Sequence, residues 1–343
     1  MPESGAGETT VRHVLAVLIV LALVLVALPA AGRIYRWVDK NGNVRYSDQP
    51  PQADQMAPPS APSVPSAPPA SRRPAHPAAG ELLDLSGLKD QTSAAALQVR
   101  DHVHQSLGHL EPRDLKSVQA VTAQTLGPER IFADIVGEFS QLVDDTKVTA
   151  VRAWYVSSLG RQITDLETQA ASLQDRQRKL TAFVAEWQVK PPAPTRVALI
   201  QRLDAASGAT ELAVEVIVGI TQAIVRVADP HLPADNRLKP GQLEAQARQI
   251  RLYTLETLRQ SNAVAMLYCY RDVPDQDLAR YIQFLETEAG AWFGGAVRRS
   301  LVQAFSAAVE RTATDLVRVV PPQRWGGPGA FKKPPLPPAD KRL

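Results

Sequence analysis

The sequence predicts a mainly α protein: a two-repeat helical bundle with long helices, preceded by a small β-hairpin and a disordered, Pro-rich tether. Three observations carry that expectation. Beyond Gly80, apolar residues recur at steps of three and four, the spacing of one helix face. Near the N-terminus, Asn41-Gly42 stands between two short β-rich runs, which is hairpin chemistry. Between these regions lie ten prolines from position 50 to 79, too few apolar groups and backbone donors for a fold. The 343 residues are 45% hydrophobic and 21% charged, an ordinary globular balance. A single Cys, a mean hydropathy of −0.15 and aperiodic glycine exclude a disulfide scaffold, a multi-span membrane protein and collagen.

Residues 1–32 read as a signal peptide or an N-terminal membrane anchor. Val14–Leu28 is unbroken apolar sequence behind Arg12 and His13, and Pro29-Ala30-Ala31-Gly32 follows. A basic flank, an apolar core and small residues fit cleavage before Arg33. Extended to Gly32, the run approaches the roughly 20 residues that span a bilayer, which fits an uncleaved anchor. Either outcome puts the body in the periplasm, released or held at the inner membrane. The sole thiol, Cys269, lies in Met266-Leu267-Tyr268-Cys269-Tyr270 and reads as a small buried hydrophobe. No histidine lies within thirty residues of it in sequence, so a catalytic thiol is not expected.

The hairpin unit, 33–50, has strands Ile34–Val38 and Asn43–Ser47 around Asp39-Lys40-Asn41-Gly42. Alternation puts Tyr35 and Trp37 on one face of the first strand, and Val44 and Tyr46 on one face of the second. Tyr35, Trp37 and Tyr46 are the candidate binding residues, as an aromatic platform for a sugar or peptide. The same three would equally serve as the minimal core of so small a sheet. Ile34-Tyr35-Arg36-Trp37-Val38-Asp39, Gly42, Tyr46-Ser47-Asp48 and Pro50 resemble domain-of-unknown-function family 4124. That resemblance implies a Gram-negative envelope protein and no activity.

The tether, 51–80, should be an extended spacer. The first helical repeat, 81–190, opens with Leu88, Ala95, Val99, Val103 and Leu107 on one face. Pro112 and Pro128 suit first turns of new helices, and Ile131, Ile135, Phe139 and Leu142 mark the next face. Asp144-Asp145-Thr146 caps one long helix beginning near Lys147. Its seam runs Ile163, Leu166, Ala170, Leu173, Gln177, Leu180, Val184 and Trp187, ready for a second helix of the same chain or of another copy. Pro191-Pro192-Ala193-Pro194 ends it.

The second repeat, 195–320, echoes the first. Ser86-Gly87 and Ser207-Gly208 are 121 apart. Val148, Val151, Trp154, Gly160 and Ile163 answer Leu278, Tyr281, Phe284, Gly290 and Phe293 at 130. The loop Asp229–Asn236 absorbs the difference. The kernels Trp154–Arg161 and Phe284–Ala291 resemble domain-of-unknown-function family 2059, although Ser158 replaces that family's Pro and the second copy lacks its basic residue. Gly160 and Gly290 are expected where helices kink or approach closely.

No chemical constellation emerges. His102, His104 and His109 do not converge at zinc-ligand spacing. Glu286, Glu288, Glu256 and Asp277 have no fixed separation for glycan hydrolysis. Arg298-Arg299 beside Trp292 and Phe293 is a surface basic spot at most. The basic Pro-rich tail, 321–343, holds five basic residues against Asp340, more than the whole charge excess of +3. No folded unit is therefore basic enough for nucleic acid. The expectation is an exported, non-catalytic binding or scaffolding module without cofactor or metal. Its partner would be an envelope protein or cell-wall component, with inner-membrane contact through the N-terminus. A cell-wall hydrolase and a structural spacer are the alternatives.

Overall fold

Prolines and glycines set the helix boundaries. The computed structural model describes the strand backbones 35–38 and 44–47, and residues 76–320 apart from 109, 173–175, 188–189 and 232–236. The signal or anchor segment, the hairpin turn, nearly all of the tether and the basic tail lie outside the described residues. Among the described residues, no helix is long and apolar enough to cross a membrane.

Strands β1 (Tyr35–Val38) and β2 (Val44–Ser47) pair antiparallel. The register sets Tyr35 opposite Ser47, Trp37 opposite Arg45 and Tyr46 opposite Arg36. The side chains of Tyr35, Trp37 and Tyr46, the candidate binding residues, lie outside the described residues.

The helical body starts at Pro77, within the stretch expected as tether. Helix α1 (Pro77–Leu85) has Pro at its first position, where the missing N–H costs nothing. The His76 ring nitrogen accepts from the Ala78 N–H at 3.3 Å. Gly87, at φ +70°, turns the chain into α2 (Leu88–Ser106). Helices α3 (Pro112–Thr125) and α4 (Pro128–Ser140) begin at the expected prolines. Asp144 caps α5 (Asp145–Val156), accepting from the Thr146 N–H at 3.1 Å.

The long helix expected from Lys147 onward is divided. It stops at Ser157 (ψ 159°), and α6 (Ser158–Ser172) and α7 (Arg176–Glu186) follow. The Ser157 hydroxyl donates to the Trp154 carbonyl at 2.6 Å and accepts the Gly160 N–H at 3.0 Å. A serine thus ends one helix and caps the next, an option its short polar side chain offers. Within the seam, Ile163 and Leu180 are buried and Val184 is 40% exposed. The seam packs on the same chain: Ile163 shares a cluster with Ile200, Leu203, Leu267, Leu278 and Ile282.

Beyond it come α8 (Pro194–Ser207), α9 (Ala209–Ala228), a short turn at Asp229–His231, α10 (Gln242–Cys269), α11 (Asp275–Glu286) and α12 (Glu288–Val319). Helix α12 is the axle, packing on α9 and on α3, α4 and α5. Its Phe293, Ala296, Ala304, Phe305 and Ala308 join the core of α1–α5. Val309 joins the α9–α10 cluster.

Several boundaries recur 130 residues apart: α5 with α11, and the starts of α6 with α12 and of α3 with α10. Thr287 (φ −69°, ψ 159°) reproduces the Ser157 joint (φ −67°, ψ 159°). Its hydroxyl donates to the Phe284 carbonyl at 2.7 Å and accepts the Gly290 N–H at 3.1 Å. Where Gly127-Pro128 separates α3 from α4, the corresponding Thr257-Leu258 lets α10 run on for 28 residues.

Candidate functional site

Helix α6 turns an acidic residue toward the interior. Ile163 is 2% exposed, and Glu167 lies one turn further on the same face. Glu167 Oε1 accepts two hydroxyl hydrogen bonds, from Tyr270 at 2.6 Å and from Tyr281 at 2.9 Å. Tyr281 comes from α11, and Tyr270 is the residue closing α10. Arg196 of α8 holds that corner. Its guanidinium donates to the Tyr270 carbonyl, to the Val273 carbonyl at 3.0 Å and to Asp275 at 2.6 Å.

Glu167 lines a cavity of about 400 Å³ between α2, α6, α7, α9, α10 and α12, within the roughly 300–1,000 Å³ of small-molecule pockets. Small side chains leave the space open: Ala95, Ala170, Ala171, Ala209, Ala213 and Ala265 all face it. Leu88, Leu180, Leu212, Ile217, Met266 and Phe305 supply bulkier apolar walls. Glu167 is the one charged residue among the described lining residues.

Burial pushes the Glu167 carboxyl above the ordinary carboxylate range, outweighing the two tyrosine hydrogen bonds that favour its ionised form. The Tyr270 and Tyr281 hydroxyls are raised well above the usual tyrosine range, first by burial and then by the Glu167 charge. Thr92 donates to the Leu88 carbonyl at 2.7 Å, Asn262 to Thr210 at 3.1 Å and Cys269 to the Leu166 carbonyl at 3.8 Å. Glu167 Oε2 has no hydrogen-bond partner among the described residues.

The residues singled out from sequence do not gather here. Cys269 does line the cavity, half-buried rather than fully enclosed, and no histidine lines it among the described residues. His104 is half-buried with Nε2 2.7 Å from the Thr122 hydroxyl. Burial, with help from Arg100, holds its pKa below the usual histidine value. The side chain of His102 and all of His109 lie outside the described residues. Among the described residues, no three His, Cys, Asp or Glu side chains gather to hold a metal ion. Glu286 is bidentate with Arg202, at 2.8 and 2.5 Å. Asp277 pairs with Arg280 and Glu256 with Arg259, each at 3.3 Å. These carboxylates sit on the surface and do not converge. Arg298 is half-buried, close against Gly208.

Glu167, Tyr270, Tyr281 and Asn262 escaped the sequence reading. A signal for Glu167 existed: it follows Ile163 by four and precedes Ala170 and Ala171 by three and four, inside an apolar stripe. The two tyrosines come from distant helices, and no local pattern joins them.

Residues 21–74 match the model of the family described as Domain of unknown function (DUF4124). The match spans the hairpin and almost all of the tether and ends before α1, as the hairpin residues implied. None of the comparisons carries the family 2059 resemblance of the helical kernels. No curated protein and no solved structure matches the chain.

Proposed function

We propose that this chain is an exported, non-catalytic binding module of the cell envelope, whose helical body takes a small apolar ligand into the cavity beside Glu167. The cavity itself carries the reading: space for a ligand, mostly apolar walls and one convergent polar cluster are what small-molecule sites share. The hairpin and tether would station that body at a distance from the membrane or from an envelope partner. The body reads as a duplicated unit, a view supported by the 130-residue recurrence of helix boundaries and of the Ser157 and Thr287 joints. Scaffolding without a ligand leaves the cavity unexplained. Hydrolysis would need converging carboxylates, and among the described residues Glu286, Glu256 and Asp277 pair with separate arginines instead.

Filling the space tests the reading. The neutral fluorophore N-phenyl-1-naphthylamine should bind the full chain and brighten. Ala213→Phe or, with less strain, Ala95→Leu should remove the signal while circular dichroism stays helical. Undiminished binding in both filled variants would put the ligand elsewhere and end the proposal.

A further inference from the structure

We infer that the cavity selects apolar amines: ligands whose single protonated nitrogen pairs with Glu167 Oε2 while a hydrocarbon body lies along the apolar walls. This rests on the binding reading above and adds the charge and donor character of the ligand.

Three features point the same way. Glu167 opens on the cavity, and no Lys, Arg or His lines it among the described residues. A half-buried carboxylate against mostly apolar walls, without a cation beside it, is costly, and a cation arriving with the ligand removes that cost. Both tyrosine hydroxyls bind Oε1, which leaves Oε2 as an acceptor without a donor among the described residues. Thr92 and Cys269 each already donate their one hydrogen to the protein, which leaves both as acceptors, and the Asn262 carbonyl oxygen adds a further acceptor. An ammonium group is donor-only and complements that lining; a carboxylate head repels it.

Glu167 is also not required by the architecture. At the 130-residue spacing its counterpart is Val297, and the counterpart of Cys269 is Phe139. Phe139 is fully buried in the α1–α5 core. One half of the molecule fills with a phenyl ring the position at which the other has a thiol beside a carboxyl-bearing cavity.

The titratable groups around Glu167 are Tyr155 from α5, Cys269 and Tyr270 at the end of α10, and Tyr281 from α11. All are neutral below the tyrosine and thiol range, so Glu167 alone governs amine binding in acid. Ammonium pairing requires the ionised carboxylate, and affinity for the amine therefore weakens as pH falls through the Glu167 pKa.

The test displaces N-phenyl-1-naphthylamine from the full chain with decylammonium, decanol or decanoate, each below its micelle concentration. Decylammonium should displace about tenfold better than decanol, the low end for a charge-assisted hydrogen bond, with decanoate weakest. Glu167→Gln should abolish the preference for the amine over decanol. Equal displacement by amine and alcohol in the native chain, or an amine preference intact in Glu167→Gln, would overturn the inference while the cavity reading stands. Displacement by none of the three would sink both.

Discussion

Glu167 makes the stability of the fold depend on pH in an unusual direction. Its folded pKa is raised above 4.5, so the folded state holds that proton more tightly than the unfolded chain. The charged carboxylate is a penalty at high pH. The penalty is relieved as pH falls through the folded pKa toward 4.5. His104 acts oppositely: its folded pKa lies below 6.5, and its contribution is lost as pH falls below that value. Glu81, Glu286 and Asp144, with pKa lowered by Arg152, Arg202, and Thr146 with Lys147 respectively, stabilise above their unfolded values of 4.5, 4.5 and 3.8 and lose that stability as pH falls below those values. Subtracting the Glu167→Gln profile from the native one isolates the first effect. In urea titrations the native chain should gain on the variant upon acidification toward 4.5, with the variant more stable at neutral pH. A difference that is flat with pH would mean that Glu167 is not buried as charge. A second carboxylate has a structural role. Asp204, 6% exposed, accepts from the Thr210 N–H at 3.0 Å and from its hydroxyl at 2.9 and 2.8 Å. It thereby caps α9, whose own N-cap is the side-chain-less Gly208. Asp204→Ala should cost about 1–3 kcal/mol, read as a lower denaturation midpoint with unchanged slope.

Helix boundaries respond to single atoms. A Cβ on Gly160 would sit 2.1 Å from the Trp154 carbonyl oxygen, and one on Gly290 2.1 Å from that of Phe284. Both contacts are with backbone and cannot relax by a rotamer change. Gly160→Ala and Gly290→Ala should each destabilise by about 2–3 kcal/mol. Gly137, inside α4 with nothing within 4 Å of the place an added Cβ would take, is the control: Gly137→Ala should stabilise by about 0.5–1 kcal/mol. Equal effects at all three would refute the carbonyl contact as the cause. Sequence had already marked Gly160 and Gly290 as kink positions, because glycine at equal spacing in two apolar patterns has a backbone reason. It also located α3 and α4 through Pro112 and Pro128. The break at Ser157 stayed hidden, since a serine inside a helical period is neutral until its hydroxyl is seen turning back on the chain.

Across the whole molecule, two aromatic rings tie the clusters together. Trp154 and Phe284 stack at 4.5 Å and 6°, and both pack against the α1–α5 core and the α8–α11 cluster. They occupy corresponding positions at the 130-residue spacing, so the join lies where the two patterns meet. Trp154 also stacks on Tyr281 at 5.7 Å and 8°, the ring whose hydroxyl bonds Glu167. Loosening the stack therefore reaches the cavity wall. Helix α12 adds a second tie, since it packs on α9 as well as on α3, α4 and α5. Neither half of the body keeps its core if the other opens, and calorimetry should record one transition for 76–320. Trp154→Ala should lower its midpoint by roughly 6–12 °C, from about 3 kcal/mol lost, and should weaken fluorophore binding without dividing the transition. In a double-mutant cycle with Phe284→Ala, the pair should couple by about 0.5–1.5 kcal/mol. Two resolved transitions, or strictly additive losses, would show that the halves fold independently and that the stack is incidental to their union.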